Sequence, residues 1–284
     1  MTTAEQVTEP HAHHGEGPVW HSGWDALKFV DMLAGDICTV DVDSGGIERF
    51  HVGSVAAAFR PRTSGGLVVA VERGFALVDA DGNLEQLGDL WSDEGVRMNE
   101  GGCDPQGRFY CGSMAYDATP GAGTVWRLDA DRSTSVALER VTISNGLAWS
   151  LDGALAYYID TPTGRVDAFE WDADRGFGTR RTVVEIPSGS GGPDGMTVDA
   201  EGGLWVALWG GSAVHRYTPD GRLDEVVELP VTQVTACTFG GPDLDELYVT
   251  TSRQGLVPSD QPAAGAVFRA RPGVRGRAVQ AYDG

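Results

Sequence analysis

Short runs of hydrophobic and β-branched residues recur along the chain, and each run follows a segment rich in Gly, Asp, Ser or Pro. Such segments supply the residues with positive φ that tight hairpins require, so each run is predicted to be a strand that follows a turn. No segment of ten or more residues has a convincing helical period, which predicts an all-β protein. The runs lie at 27–31, 67–71, 109–111, 155–159, 204–208 and 247–251.

The runs are evenly spaced, and their first residues lie 40 to 49 positions apart. Further short strands follow each run, as at 76–79 and 84–87, so every repeat holds about four strands. A repeat of this length with several strands is typical of a propeller blade. The sequence therefore predicts one domain over residues 1–284, a six-bladed β-propeller with four-stranded blades. A β-sandwich is the alternative, but two sheets do not naturally give six matched repeats.

The composition narrows the partners that the chain can have. Acidic residues outnumber basic ones by 41 to 21 among 284 residues, which gives a formal net charge of −20. A chain this acidic repels nucleic-acid phosphates and anionic membrane surfaces, so we expect neither as a partner. Residues 1–10 are polar and no run approaches about 18 consecutive apolar residues, so we expect a soluble, cytoplasmic protein, a monomer or a weak homo-oligomer. The four cysteines form no CxxC pair, which predicts reduced thiols.

Polar side chains occupy equivalent positions in several repeats, about ten residues before each run. In a propeller this position begins the innermost strand of a blade, so equivalent side chains converge on the axis. Two carboxylates there would repel each other unless a cation lay between them, and no lysine or histidine holds an equivalent position. Oxygen ligands suit Ca²⁺, Mg²⁺ or Mn²⁺, and Zn²⁺ also accepts carboxylates, so a divalent-metal site is predicted. The six positions are Glu16, Ala57, Asn99, Asn145, Asp194 and Cys237.

The same residues have a simpler interpretation one by one. Asn145 and Asp194 each precede a glycine, and Asn-Gly and Asp-Gly are ordinary turn dipeptides. The shared register of four repeats favours a common site over separate turns. Asp31 and Asp160, at strand ends, are expected to bond turn amides rather than to catalyse. A tract just before the first of the six positions is a second candidate for metal binding, or else a surface strand: His11, His13 and His14.

Several segments together resemble the gluconolactonase, senescence-marker-protein (regucalcin) and luciferin-regenerating-enzyme family. They are GEGPVW at 15–20, RMNEG at 97–101, SNGLAWS at 144–150, YYID at 157–160 and PDGM at 193–196, and they cover nearly the whole chain in order. The resemblance implies a six-bladed propeller with one divalent metal. We expect Ca²⁺, with Zn²⁺, Mg²⁺, Mn²⁺ or Fe²⁺ as the alternatives.

The resemblance also implies roles for individual residues. The family's glutamate, asparagine and aspartate ligands fall on Glu16, Asn145 and Asp194, and the aspartate is also the family's proposed general base. The family's substrate contacts fall on Arg97, Asn99 and Asp117.

These roles predict hydrolysis of a sugar lactone, which is a small-molecule cyclic ester, to the aldonic acid. A divalent metal polarises the carbonyl group and lowers the pKa of water, and Asp194 can take a proton from that water. Arg97 and Asn99 lie two positions apart, so on a strand they face the same side and can hold sugar hydroxyls. The sequence departs from the animal members beside these contacts, at Glu100 and Tyr116, so the preferred sugar is not predicted.

Other functions fit parts of the pattern. A phosphotriesterase-type hydrolase would use a similar metal propeller, and a calcium-binding regulatory protein would bind the metal without turnover. A protein-interaction propeller leaves the oxygen-bearing side chains on the axis unexplained. The serine-hydrolase route has no support, because the sequence contains no G-x-S-x-G nucleophile motif.

Overall fold

All six predicted runs are strands in the computed structural model of the chain, which describes residues 2–284. Each run lies in the second strand of an antiparallel sheet, and the inner strands of neighbouring sheets contact one another in a closed ring. This arrangement is a six-bladed β-propeller, which confirms the predicted fold class. Within residues 2–284 the helical segments are two 3₁₀ turns, Met32–Ala34 and Thr161–Thr163. None of these residues forms a helix with the length and hydropathy to cross a membrane.

The strands are numbered in chain order. Two short strands come first, β1 (Thr2–Thr3) and β2 (Glu5–Gln6). Blades 1 to 3 consist of β3 (Gly15–His21), β4 (Ala26–Asp31), β5 (Asp36–Val40) and β6 (Ile47–His51); β7 (Ala56–Pro61), β8 (Leu67–Val71), β9 (Gly74–Val78) and β10 (Leu84–Asp89); and β11 (Val96–Cys103), β12 (Phe109–Ala115), β13 (Gly123–Leu128) and β14 (Thr134–Val141).

Blades 4 to 6 follow the same order, each beginning with its innermost strand. They consist of β15 (Ser144–Trp149), β16 (Leu155–Asp160), β17 (Arg165–Asp172) and β18 (Gly176–Glu185); β19 (Gly192–Val198), β20 (Leu204–Trp209), β21 (Ala213–Tyr217) and β22 (Leu223–Glu228); and β23 (Val234–Gly240), β24 (Glu246–Thr251) and β25 (Phe268–Ala270), with β2 as the fourth strand of blade 6.

The N-terminal segment closes the ring. Strand β2 pairs antiparallel with β25, with Glu5 opposite Arg269, so the two ends of the chain share blade 6. Strand β1 pairs parallel with β22 and gives blade 5 a fifth strand, where the sequence predicted four. The segment that leads into blade 1 is therefore joined to blades 5 and 6 by backbone hydrogen bonds, and an ion pair between Glu5 and Arg269 adds to them.

Burial decreases from the inner to the outer strand of a blade, and the core lies between blades. Inner strand β11 is buried at every position but its first, whereas outer strand β10 is mostly exposed. Aromatic side chains fill the space between blades, as where Trp205 of blade 5 meets Phe239 of blade 6 with ring centroids 5.6 Å apart. All four cysteines are buried and unpaired, as the sequence predicted. The rigid inner strands therefore fix the positions of the side chains that face the axis.

Candidate metal and substrate site

A cavity of about 270 Å³ opens at the end of the channel where the inner strands begin, and we call it the front cavity. Residues from five of the six blades line it, although they lie far apart in sequence. Among them are five of the six residues that the sequence singled out for metal or substrate binding: Glu16, Arg97, Asn99, Asn145 and Asp194. The residues that share a register in the sequence repeats therefore lie together in one cavity.

A β-bulge near the start of every inner strand places these side chains. The pairing of β15 with β16 shifts between Ser144 and Leu147, which leaves Asn145 outside the ladder, and the other five inner strands carry an equivalent shift. Bulges of this kind re-aim a side chain. In blade 6 the bulged residue is Thr235, so the assignment of Cys237 to this position was wrong. The first hairpin of blade 6 is longer than the others, and a fixed count of about ten residues therefore ends past the bulge.

The glycines that follow the bulged residues are required by packing between blades. A Cβ atom on Gly146 would lie 2.7 Å from Cγ of Met196 and 2.9 Å from the carbonyl oxygen of Asp194. A Cβ atom on Gly195 would lie 2.5 Å from Cβ of Ala236. Neighbouring inner strands approach closely here, which only glycine allows. The Asn-Gly and Asp-Gly pairs therefore belong to bulged inner strands and not to hairpin turns.

Two aspartates fix the backbone just before the bulges of blades 1 and 4. Asp31 Oδ1 accepts hydrogen bonds from the backbone N–H groups of residues 13 and 14, each at 3.0 Å. Asp160 accepts from the N–H groups of residues 142 and 143, at 3.0 and 2.9 Å. These contacts confirm that both aspartates bond backbone amides, and they position the segments that lead into Glu16 and Asn145.

Hydrogen bonds orient the amide of Asn145. Its Nδ2 donates to Oγ1 of Thr161 at 2.7 Å, and that hydroxyl donates to the carbonyl oxygen of Pro193 at 2.8 Å. Oδ1 of Asn145 points the other way and accepts from Nδ2 of Asn99 at 3.1 Å. An amide oxygen has two lone pairs, so Asn145 Oδ1 keeps one for a cation.

Arg97 joins this network from the side. Its Nη1 donates to Oδ1 of Asn99 at 2.7 Å and to the carbonyl oxygen of Met98 at 2.9 Å. Its Nε is buried and has no hydrogen-bond partner among residues 2–284. Buried donors are nearly always paired in folded proteins, so this unpaired N–H beside the front cavity is an exception. Because Asn99 Oδ1 already accepts from Arg97, that oxygen is a poorer cation ligand than the oxygen of Asn145.

Burial and neighbouring acidic groups make both carboxylates of the front cavity harder to ionise. Glu16 is 3% exposed and Asp194 is 5% exposed. Burial, followed by the charge of Glu100, raises the pKa of Glu16 well above its ordinary value. Burial, followed by the charge of Glu16, does the same to the pKa of Asp194. The positive charge of Arg97 opposes both pKa shifts without cancelling them.

This donor set fits a hard divalent cation. Two buried carboxylates and an amide oxygen are typical ligands of Ca²⁺ or Mg²⁺, and a cation between them would favour their ionised forms against the burial that raises both pKa values. Within residues 2–284 no group of three or more His, Cys, Asp or Glu side chains could hold a metal. A metal in the front cavity therefore depends on the oxygen of Asn145 as well as on Glu16 and Asp194.

Of the histidine tract that the sequence offered as a second candidate for metal binding, only His14 reaches the front cavity. His14 lines the front cavity and bonds Oγ of Ser252 through Nδ1 at 2.8 Å, whereas His11 and His13 are exposed. Burial, then the charge of Arg97, lowers the pKa of His14 to about 3, so its ring is neutral. The sequence signal for His14 was its place two residues before Glu16, at the start of an inner strand. Other lining residues follow second strands and carry no such signal: Tyr116, Thr161 and Trp209.

One predicted substrate contact, Asp117, and one neighbour of the others, Glu100, lie outside the front cavity. Asp117 is exposed and outside the front cavity, where its Oδ1 accepts from the backbone N–H and the hydroxyl of Thr119 at 3.0 and 2.7 Å. Its role as a substrate contact stays a prediction. Glu100 follows Asn99 in the same bulge but lines a second cavity of about 240 Å³, the rear cavity, with Arg60.

Comparison with known proteins gives a consistent set of matches. Residues 14–253 match the sequence family described as SMP-30/Gluconolactonase/LRE-like region. Regucalcin from Sus scrofa is 36% identical over 293 residues, which covers 99% of this chain and 98% of that protein. A luciferin-regenerating enzyme structure is 30% identical with a TM-score of 0.90 and 100% of both chains covered. The structure of a calcium-binding protein, regucalcin, from Agrobacterium tumefaciens is 28% identical with a TM-score of 0.92, covering 99% of this chain and 97% of that one.

Proposed function

Because the chain belongs to the SMP-30/gluconolactonase/LRE-like family, we propose that it hydrolyses a sugar lactone to the aldonic acid with one divalent cation. The observation that carries this proposal is the convergence of Glu16, Asn145 and Asp194 in one cavity. Arg97 lies beside them with an unpaired N–H donor. A lactone offers the two groups that such a cavity can bind, an ester carbonyl and ring hydroxyls.

Glu16, Asn145 and Asp194 would hold the cation through oxygen atoms. When bound, a divalent cation acts as a Lewis acid on an ester carbonyl and lowers the pKa of water. We favour Ca²⁺, because the donors are carboxylate and amide oxygens and because the related protein from Agrobacterium tumefaciens is a calcium-binding protein. Zn²⁺, Mg²⁺, Mn²⁺ and Fe²⁺ are the alternatives for the native ion.

The protein side chains supply the positioning and the proton transfer. An Asp194 carboxylate oxygen takes a proton from the water that attacks the lactone carbonyl carbon. The ring C–O bond then breaks, and the proton passes to the ring oxygen, which leaves as the hydroxyl of the open acid. Arg97 and the neighbouring Asn99 orient the sugar, which holds the carbonyl near the attacking water. Asp117 lies outside the front cavity and would contact only a substrate that extends beyond it.

Acid release from a panel of aldonolactones tests the proposal. Metal-stripped protein is assayed with single divalent ions added back, and the spontaneous hydrolysis rate is subtracted. We expect metal-dependent turnover of at least one aldonolactone well above the spontaneous rate. Absence of turnover with every ion, despite tight metal binding, would contradict the proposal and favour a calcium-binding regulatory role.

The same assay separates a phosphotriesterase-type hydrolase from a lactonase. Paraoxon is added to the panel under identical conditions. We expect its kcat/KM to lie far below that of the best lactone. A higher kcat/KM for the phosphotriester than for every lactone would show that the protein is a phosphotriesterase-type hydrolase instead.

A further inference from the structure

Two polar side chains at the edge of the front cavity take no part in the hydrogen-bond network on its axis. His14 and Gln254 both line the cavity. His14 directly precedes the inner strand β3 of blade 1, and Gln254 follows β24 in blade 6. The hydrogen bonds that join Arg97, Asn99 and Asn145 reach neither of them. The proposed lactonase mechanism therefore leaves both side chains without a role.

The hydroxyl of Ser252 contacts both residues. Ser252 is fully buried, and its backbone forms an isolated antiparallel bridge with His14. Its Oγ bonds Nδ1 of His14 at 2.8 Å and accepts from the backbone N–H of Gln254 at 3.1 Å. Trp209 lies edge-on to the ring of His14, with ring centroids 5.9 Å apart. The ring of His14 is therefore held in one orientation, and Gln254 is anchored beside it through its backbone.

The groups that His14 and Gln254 present to the cavity have no partner among residues 2–284. His14 uses Nδ1 for its hydrogen bond, which leaves Nε2 free. Gln254 bonds through its backbone N–H and its backbone carbonyl, which leaves its side-chain amide free. His14 is only 5% exposed. A buried polar atom without a partner is costly, so Nε2 gains from a bound molecule that pairs with it.

A hydroxyl group is the ligand that suits this pair of residues. The ring of His14 is neutral, because burial, followed by the charge of Arg97, lowers its pKa to about 3. A neutral ring has at Nε2 either an N–H donor or a lone pair, depending on which nitrogen carries the proton. A hydroxyl both donates and accepts, so it pairs with either form of the ring and with either end of the Gln254 amide. A methylene group at the same place would leave Nε2 unpaired.

We propose that His14 and Gln254 form a second polar subsite of the front cavity, which binds a hydroxyl group of the lactone, and that His14 is its main specificity-determining residue. The role of this subsite rests on the proposed lactonase activity. Any hydroxyl of the sugar that reaches Nε2 of His14 satisfies it. The subsite therefore favours polyhydroxylated lactones over cyclic esters without hydroxyl groups, and it leaves the cation ligands unchanged.

Two conservative variants separate a bond to the ligand from the bond to Ser252. An asparagine amide lies where Nδ1 of histidine lies, and a glutamine amide reaches the position of Nε2. His14→Asn therefore keeps a partner for Ser252 and loses the group that faces the cavity. With saturating ion and the aldonolactone that is hydrolysed best, we expect His14→Asn to raise KM by about tenfold and to change kcat by less than about twofold. His14→Gln should keep KM within about threefold of the wild type.

A lactone without hydroxyl groups shows whether the loss concerns a hydroxyl. The affinity for δ-valerolactone is taken from its KM or, where it is not turned over, from its inhibition constant against the aldonolactone. We expect His14→Asn to change this affinity by less than about twofold. His13→Asn is the matched control, because it is the same change at an exposed neighbour outside the cavity. Gln254→Ala should raise KM for the aldonolactone by about two- to threefold, since this side chain is exposed to water.

The outcomes distinguish the subsite from the lactonase activity on which it rests. An unchanged KM in His14→Asn, or a higher KM in His14→Gln than in His14→Asn, would overturn the subsite and show that the ring serves only to hold Ser252. An equal loss of affinity for both lactones would also overturn it. Each of these results leaves the lactonase proposal intact. No turnover of any aldonolactone by the wild type would overturn both.

Discussion

The two ends of the central channel carry buried carboxylates in cavities of similar size, but the carboxylates have different surroundings. In the front cavity, oxygen-bearing side chains from several blades meet, and two of them are acidic. In the rear cavity, Glu100 is accompanied by Arg60, Trp149 and Cys237 and by the C-terminal residues 277–280, which cross that end. Both Arg60 Nη atoms donate to backbone carbonyls, at 2.6 and 2.7 Å.

The difference shows what distinguishes a ligand site from a single buried acid. Burial raises the pKa of Glu100 to about 7, and one of its oxygens has no partner among residues 2–284. A carboxyl whose pKa is raised in this way can stay protonated and needs no ion, although its charge, when it ionises, raises the pKa values of Glu16 and Asp194. Glu16 and Asp194 share their cavity with amide oxygens that are held in place by hydrogen bonds, so a cation gains several ligands at once. We therefore expect substitutions at the front to affect metal binding and turnover, and substitutions at the rear to affect stability more than turnover.

Asp194→Ala should have the largest effect, because it removes both a ligand and the proposed base. We expect kcat to fall by about a thousandfold or more, measured as acid release at saturating ion. Asp194→Asn separates the two roles, since the amide keeps an oxygen ligand but takes no proton. Near-normal turnover in either variant would remove Asp194 from the mechanism.

Glu16→Gln should weaken binding of the cation more than it alters the contacts with the sugar. Loss of one of two carboxylate charges is expected to raise the dissociation constant for Ca²⁺ by at least about tenfold, measured by calorimetry on metal-stripped protein. Activity should recover as the ion concentration is raised. Unchanged Ca²⁺ affinity would show that the ion binds somewhere other than the front cavity.

Arg97→Ala should mainly affect substrate binding. We expect KM to rise by about tenfold and kcat to change less, because a hydrogen bond to a charged donor is lost. Arg97→Lys retains the charge but loses the Nε donor and should recover only part of the binding. A fall in kcat with KM unchanged would instead place Arg97 at the transition state.

Glu100→Gln should have the smallest effect on turnover, less than about twofold, and a pH-dependent effect on stability. The folded pKa of about 7 lies above the ordinary value of 4.5, so the contribution of this carboxyl to stability is present below pH 4.5 and is lost as the pH rises through 7. Glutamine does not ionise. In urea unfolding of metal-free protein, the variant should gain stability relative to the wild type between pH 5 and 8.

Either of two results would break the comparison between the channel ends. A loss of turnover in Glu100→Gln as large as in Asp194→Ala would join the two cavities into one functional site. A constant stability difference from pH 5 to 8 would mean that Glu100 does not titrate in the folded protein as its buried position requires.

The repeat pattern was enough to predict the fold and most of the front cavity. Because Asn145 and Asp194 are bulged at the same register and Glu16 lies directly before the bulge of its strand, spacing alone brought these three residues together. The same logic failed at Cys237, because the longer hairpin of blade 6 moves the bulge to Thr235. The period of a sequence repeat locates each blade to within a few residues, but it does not locate the bulge within the inner strand.

The hydrophobic residues that line the front cavity could not be predicted from the sequence. Leu33, Tyr116 and Trp209 lie in or beside connections whose lengths differ among the blades, so no register links them. Asp117 follows Tyr116 directly, yet it bonds Thr119 outside the cavity, because successive residues in a turn point in different directions. Contacts that depend on loop conformation can be identified only from the structure.

Titration of metal-free protein with Ca²⁺, with binding and lactone turnover followed on the same samples, tests the central claim most directly. We predict one Ca²⁺ ion per chain and a rate of acid release that rises in proportion to the fraction of chains with bound ion. In Glu16→Gln, Ca²⁺ binding and turnover should weaken together. Full occupancy without turnover, or turnover that is independent of the ion, would contradict it.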